Sequence, residues 1–523
     1  MTTTDNILNW FNTDIQTDVL LIQPSTLFQQ AFVDPDVFHY FNSLRRVGEL
    51  SGDSPVEPNY GILTLATRLR ESNIKVQILD FNYIDFILRQ KGAMLSADLV
   101  ESILKRCHAR LYGISYMTST FGNWEDILYT RIRSLGQNSE TPIVYGGIHP
   151  SMFWQDILNK RNDKNLYIML GEGDYEFATF CKTIIYGGES PFVLNGIAGY
   201  STSPQKQVIP PHKLAIDSLP DYSLMPSYTD CEVRRFYITR GCNSGCSFCS
   251  VSSFHSRSAG QYYRQLYEEG ADIVFPQIDQ ILKDWGNGKK IIMGDLTFFE
   301  TEWYFKEFCR QLADKSEEMG LHPKWWCQTR ADCINDGMIK DIKAAGCNQI
   351  AIGCETASND LLKKMHKNLT VEEWKKSLQI IKENGISTQA YFIIGTGFES
   401  KASVEKTIRS VCDLIDEGVI DLVHLSTLVP FPGTLLSNNP KSAGINIVDH
   451  DFRNYWMNCD MYGYGLPVYE TISSDGKVLL NRNEIYSYWK LAMQEISQAY
   501  DRKADGISSQ PEFDFHMNMR RAI

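Results

Sequence analysis

The sequence predicts an α/β protein: an N-terminal doubly wound parallel sheet, a partial barrel of (β/α)6 type, and a small, mainly helical C-terminal region. Three observations predict it. Short β-rich apolar runs alternate with helical patterns over about the first 180 residues, a proline-punctuated stretch interrupts them, and the alternation resumes near Arg235. The expected divisions are a first domain at 1–186, a linker at 187–234, the barrel at 235–435 and a substrate-shaping C-terminal region at 436–523.

In the first domain the candidate strands are Asp18–Pro24, Val76–Phe81, Arg110–Met117, Pro142–Gly147 and Asn165–Gly171. Helical patterns near Gly61–Glu71, Ala97–Cys107, Asn123–Ser134, Ser151–Leu158 and Tyr175–Ile184 supply the crossovers. Such a sheet binds ligands at the carboxyl ends of its strands. The linker reads as a stretch without long periodicity, within which Ile216–Tyr222 is expected to run extended along a domain surface. In the barrel the candidate strands are Phe236–Thr239, Lys290–Gly294, Lys324–Gln328, Gln349–Gly353, Thr388–Ile394 and Leu422–Val429. Helices at Glu302–Glu318, Asp336–Ala345 and Val371–Asn384 separate some of them, and chemistry is expected at the carboxyl strand ends. A further helical pattern spans Arg482–Tyr500.

At 523 residues, 43% hydrophobic and 22% charged, the chain reads as folded throughout. A net charge of −12 gives no bulk attraction to phosphate backbones, so nucleic acid is not the expected partner. Met1–Asp14 lacks the features of a secretory signal, and no apolar run approaches the roughly 18 residues that would span a bilayer. A cytoplasmic location without a membrane span is expected. Thirteen cysteines in that compartment do not make a disulfide framework, and the scattered ones, Cys354 among them, read as small buried apolar residues.

Three cysteines are clustered. Tyr237–Cys249 reads YITRGCNSGCSFC, which places Cys242, Cys246 and Cys249 at Cys-x3-Cys-x2-Cys directly after a candidate strand. A structural zinc site wants four ligands, and a ferredoxin cluster wants a fourth cysteine. Three thiolates on one iron–sulfur cube leave one iron open to a ligand. A chance grouping or a simple redox loop is the alternative.

With these companions the sequence resembles the radical SAM superfamily over about residues 235–435. That resemblance implies a [4Fe–4S] cluster on the three cysteines, with S-adenosylmethionine (SAM) chelating the fourth iron. Gly294–Phe298 (GDLTF) falls where the family contacts the SAM amino group, and Asp295 is the candidate, although the second acidic residue common there is replaced by Leu296. Gly353–Thr356 (GCET) offers Glu355 to the SAM ribose, after Trp325–Asp332 (WWCQTRAD). Gly395–Glu399 (GTGFE) and Pro430–Thr434 (PFPGT) fall at later SAM and adenine contacts, with Gly395 as a candidate. An ordinary turn or a solvated cap is the alternative at each position.

Upstream, the chain resembles the subclass in which a Rossmann-like cobalamin-binding domain precedes the barrel. Ser115 and the pair Gly146–Gly147 look like the later segments of the cobalamin signature, and GGIHP (Gly146–Pro150) and GEGDYE (Gly171–Glu176) recur in the subclass. The first segment, Asp-x-His-x-x-Gly, is absent. His39 lacks its flanking pattern and reads as a loop histidine, so no protein imidazole is expected beneath cobalt.

The resemblance implies reductive cleavage of SAM to a 5′-deoxyadenosyl radical, with electrons from a flavodoxin- or ferredoxin-type donor. The leading implied activity is methylation of an unactivated carbon, or phosphorus, of a small molecule. Cyclisation, ring contraction or deoxygenation without methyl transfer is the second reading, and a non-catalytic iron–sulfur module the third. The aromatic stretch Tyr455–Tyr464 is a candidate for shaping the substrate site or for core packing. No catalytic acid or base is named.

Overall fold

The computed structural model describes residues 15–26, 58–173, 176–194, 196–200, 202, 219–225, 233–251, 254, 264–266, 271–299, 302–455 and 466–505. His39, the first three residues of Ile216–Tyr222 and all of Tyr455–Tyr464 except Tyr455 lie outside the described residues.

The first sheet contains β1 (Ile15–Gln23), β2 (Val76–Asp80), β3 (Cys107–Ser115), β4 (Ile143–Gly146), β5 (Leu166–Met169) and β6 (Ile197–Gly199). Their order is β2-β1-β3-β4-β5-β6, and only β6 runs antiparallel to its neighbour. Alternate residues of one strand feed opposite cores, because successive side chains point to opposite faces. Leu20, Ile22, Tyr112 and Ile114 pack with helices Ala97–Leu104 and Thr118–Ser134. Val19, Leu21, Leu111 and Val144 pack with helices Tyr60–Glu71 and Glu176–Tyr186. Burial on both faces is why these strands read as continuous apolar runs. The strand order reverses between β1 and β3, and that switch point opens a crevice at their carboxyl ends.

Two elements differ from expectation. β6 arises within the stretch read as linker, because Ile197 and Ala198 are fully buried along the sheet edge. Helix Phe81–Gln90 follows β2 with no turn residue to announce it. From the described part of Ile216–Tyr222, the Asp221 amide donates to Thr67 Oγ1 at 2.9 Å, which lays the stretch on helix Tyr60–Glu71.

The barrel strands are β7 (Val233–Phe236), then, after the small hairpin β8 (Thr239–Gly241) and β9 (Arg264–Leu266), β10 (Lys290–Met293), β11 (Trp325–Thr329), β12 (Cys347–Glu355), β13 (Ser387–Ile394) and β14 (Leu422–Thr427). All six barrel strands run parallel in sequence order from β7 to β14. Helices Glu302–Met319, Asp336–Ala344, Val371–Glu383 and Lys401–Asp416 contribute to the outer core. Inside, Val233, Ile292, Trp326 and Ala351 form a separate apolar layer. There Trp326 Nε1 donates to Gln389 Oε1 at 2.9 Å, satisfying a polar pair that burial would otherwise penalise.

The first barrel strand ends at Phe236, three residues before the expected Thr239. Its continuation leaves the ladder because the Asp295 carboxylate takes the Ile238 and Thr239 amides. The C-terminal region adds β15 (Ile445–Ile447), β16 (Tyr469–Ile472) and β17 (Val478–Leu480) to the expected helix, which runs Arg482–Asp505. Trp489 Nε1 of that helix donates to Leu425 O of β14 at 3.3 Å.

The two halves meet through the turn Phe452–Asn454, which packs on helix Thr118–Ser134. Gly122 permits the approach, since a Cβ there would meet Arg453 N at 2.6 Å and Phe452 C at 2.7 Å. Among the described residues no helix is long and apolar enough to cross a membrane.

Candidate functional site

The loop after β8 turns at Gly241 (φ +80°) and carries Cys242, Cys246 and Cys249 into one cavity of about 330 Å³ at the carboxyl ends of the barrel strands. Its own backbone holds the turn, the Cys249 amide donating to Cys246 O at 3.2 Å. The Ser247 amide reaches across to Met365 O at 3.0 Å, pinning the loop to the turn after helix Asn359–Lys364. Ser244 N donates to Cys242 Sγ at 3.4 Å, and Thr297 Oγ1 lies 3.4 Å from the same sulfur. The donor set fits an iron–sulfur cube, which takes its thiolates at separate iron corners. Among the described residues no three His, Cys, Asp or Glu side chains converge as a single ion would require.

Glu355 lines the same cavity from the end of β12. Its backbone is left-handed at φ +63°, a strained conformation for a residue with a side chain, and such strain gathers at functional sites. The carboxylate meets Lys367 Nζ at 2.6 Å, with side chains only 8% and 7% exposed. Gly353 makes room, because a Cβ there would lie 2.6 Å from Glu355 Oε1 and 2.7 Å from Lys367 Nζ. Burial pushes the Lys367 ammonium down, but the Glu355 carboxylate and the Cys246 sulfur together outweigh it and hold the lysine above its ordinary value. Arg330, from the end of β11, donates to Lys367 O at 2.8 Å and, through Nη1, to Cys246 Sγ at 3.9 Å. Burial pushes the Cys246 thiol up while Lys367 and Arg330 pull it back toward the thiolate.

Arg330 and Lys367 were not singled out in the sequence. Arg330 sits inside the WWCQTRAD segment, but Lys367 lies on a motif-free turn and becomes visible only when the chain folds back on itself. Tyr391, His424 and Ser426 line the cavity from β13 and β14, again without a sequence signal. The Tyr391 and His424 ring centroids are 5.1 Å apart.

Asp295 and Gly395 are not among the residues lining this cavity. Asp295 is fully buried, and its carboxylate accepts from Ile238 N at 3.1 Å, from Thr239 N at 2.6 Å and from the Thr239 hydroxyl. It braces the segment that leads into the cysteine loop. Gly395 (φ +84°) accepts at its carbonyl from Tyr469 Oη at 2.8 Å, and a Cβ there would strike that hydroxyl. The GTGFE glycine therefore docks the C-terminal sheet. Gly433 of PFPGT likewise meets the first domain, where a Cβ would lie 2.5 Å from Met152 Sδ.

A second cavity, of about 230 Å³, lies at the carboxyl ends of β1, β3, β4 and β5. Ser115, Gly146 and Gly147 line it together, with Gly171 and Gly173 of the GEGDYE segment. A Cβ at Gly146 would meet no protein atom within 4 Å, whereas one at Gly147 (φ +95°) would strike Tyr116 O at 2.5 Å. A largely apolar slot, with the Ser115 hydroxyl, the Glu172 carboxylate and bare glycine backbone in its lining, fits the flat base of a nucleotide tail. Phe254, just after the cysteine loop, reaches the same cavity. His149 of GGIHP is instead an aromatic spacer between the halves. It stacks on Phe121 at 4.1 Å and meets Phe452 edge-on at 4.7 Å, and burial pushes its imidazole down to about 3.

Comparison with known proteins matches the two halves of the chain separately. The profile of the Radical SAM superfamily matches residues 236–411, and that of the B12 binding domain matches residues 54–180. An uncharacterized methyltransferase of Pyrococcus horikoshii is 26% identical over 390 residues, 72% of this chain and 77% of the relative. An anaerobic magnesium-protoporphyrin IX monomethyl ester cyclase of Rubrivivax gelatinosus is 25% identical over 361 residues, covering 66% of this chain and 60% of the cyclase. Among solved structures, the radical S-adenosylmethionine methyltransferase TsrM of Kitasatospora setae, with cobalamin and a [4Fe–4S] cluster bound, superposes with a TM-score of 0.63 at 14% identity. That match covers 97% of this chain and 99% of TsrM. The cobalamin-dependent radical enzyme OxsB gives a TM-score of 0.53 at 18% identity over 78% of this chain and 53% of its own. These two likenesses show a shared fold. The chain therefore carries a B12-binding domain followed by a radical SAM domain, the first implying cobalamin and the second a [4Fe–4S] cluster with SAM.

Proposed function

We propose that the enzyme methylates an unactivated carbon, or phosphorus, of a small molecule. The observation that carries the reading is the pair of cavities, one lined by three cysteines and Glu355, the other by Ser115 and the paired glycines. In this reading Cys242, Cys246 and Cys249 hold the cluster through three irons and leave the fourth to SAM. When bound, the cluster and SAM supply a 5′-deoxyadenosyl radical and cobalamin supplies the methyl group.

The chain's own residues bind and orient. Glu355 accepts from the ribose hydroxyls, its direction fixed by Lys367. Thr297, Ser244 and Arg330 direct hydrogen-bonding groups at the sulfurs. Ser115 contacts the buried nucleotide tail, and Gly146 and Gly147 let it pass beside the backbone. Tyr391, His424 and Ser426 face the substrate from the far strands. Asp295 and Gly395, offered by the sequence as SAM contacts, are assigned instead to holding the loop and the C-terminal sheet. The proposed domain limits are 1–186, 187–234, 235–435 and 436–523, with the linker contributing β6 to the first sheet and Val233 and Arg234 of β7 to the barrel. A small-molecule substrate, a flavodoxin- or ferredoxin-type donor and a cytoplasmic setting complete the reading.

The cyclase relative favours a second reading, in which the same cofactors close a ring without methyl transfer. Anaerobic turnover with candidate substrates separates them. Methylation releases 5′-deoxyadenosine and S-adenosylhomocysteine together, whereas cyclisation releases the first alone. Cys246→Ala is expected to abolish both products and the cluster, while Cys354→Ala, at a fully buried core position, keeps the cluster. Equal iron in wild type and Cys246→Ala would overturn the assignment.

A further inference from the structure

We propose that the buried Lys367 ammonium is a positioning and tuning residue that raises the cluster's reduction potential while holding Glu355 toward SAM. The inference rests on the reading that the three cysteines carry the cluster.

Lys367 is built into the site from several sides. Its neighbours His366 (φ +54°) and Asn368 (φ +50°) both have left-handed backbone, so the turn that delivers it is strained on either flank. That turn is bound to the cysteine loop through Ser247 N and Met365 O, and to Arg330 through the Lys367 carbonyl. The ammonium is buried, pairs with Glu355 at 2.6 Å and lines the same cavity as Cys246. A buried ion pair is a poor device for stability, because desolvation offsets the attraction. Its placement beside the cysteine loop points to an electrostatic role instead.

The sign follows from charge. Reduction adds one electron and one negative charge to the cluster, so a nearby cation favours the reduced form and a nearby carboxylate disfavours it. Lys367 and Glu355 therefore act in opposite directions. Removing the lysine lowers the potential and leaves Glu355 without its partner; neutralising Glu355 frees the cation and raises the potential. Loss of loop order alone would not give opposite signs.

The test is a redox titration followed by electron paramagnetic resonance, on full-length protein with a reconstituted cluster and without SAM. At the wild-type midpoint, Lys367→Met is expected to lower the ratio of reduced to oxidised cluster roughly tenfold, about 59 mV for one electron. Lys367→Arg should stay close to wild type, and Glu355→Gln should shift the ratio upward. Shifts of the same sign in Lys367→Met and Glu355→Gln, or no shift in either at equal iron and sulfide, would overturn the proposal. Should Lys367→Met fail to hold the cluster, Glu355→Gln decides alone, an upward shift supporting the proposal and an unmoved potential overturning it. A wild type with no reducible cluster would overturn the functional reading, and the proposal with it.

Discussion

Replacing Asp295 with alanine separates two roles for one carboxylate, contact with SAM or support of the cysteine loop. The side chain is fully buried and accepts from two amides and a hydroxyl. The Thr239 hydroxyl can rotate to another acceptor, but the amides of Ile238 and Thr239, both buried, cannot. Leaving two buried donors unpaired costs about 1–3 kcal/mol each, with the upper end apt for bonds to a charged acceptor. The segment should therefore open more easily by about 3–5 kcal/mol. At 1.4 kcal/mol per factor of ten, amide exchange in 233–241 should quicken by roughly 10² to 4 × 10³. Hydrogen-exchange mass spectrometry reads this directly, and iron retained under a chelator challenge should fall in parallel. Asp295→Asn, which keeps one acceptor oxygen, should lie between. Unchanged exchange and full iron, together with weakened SAM binding, would refute the reasoning and return Asp295 to the SAM site.

Glu355→Ala should weaken SAM binding roughly tenfold or more by removing a charge-assisted acceptor, and equilibrium binding to the reconstituted protein measures it. Gly146→Val places its side chain in open space beside the second cavity, so cobalamin binding followed by absorbance should fall while thermal stability holds. Glu399 is fully buried; burial pushes its carboxyl up to about 8, although the Gly395 and Thr396 amides donate to it. A folded value above the ordinary 4.5 means stability that is complete below that value and lost as pH rises toward 8. Melting temperatures of Glu399→Gln should show less of this decline between those limits than wild type.

The parallel strands were legible because burial on both faces leaves long apolar runs, and the cysteine loop because its ligands are adjacent in sequence. Ser115 and Gly146–Gly147 were legible as paired signals, and the fold joins them at one cavity. Lys367 was not, since its partners Glu355 and Arg330 come from other strand ends and no local pattern marks the turn. Asp295 illustrates the opposite limit. Its position after β10 is visible in sequence, but which way the carboxylate turns depends on amides 56 and 57 residues away. β6 escaped because three residues carry too little periodicity to distinguish a strand from a proline-rich link.

The contact of Gly122 with the Phe452–Asn454 turn bears on how such enzymes can be recombined. The first domain is continuous in sequence and invites exchange between relatives as a cassette. Yet the groove it presents at Gly122, with Phe121, His149 and Phe153 beside it, is filled by a turn encoded some three hundred residues later. A chimera cut cleanly at the linker would inherit a lock without its key. The unit that can be transplanted is the domain together with its distant turn, and a donor whose helix carries a larger residue in place of Gly122 would need a different turn to match.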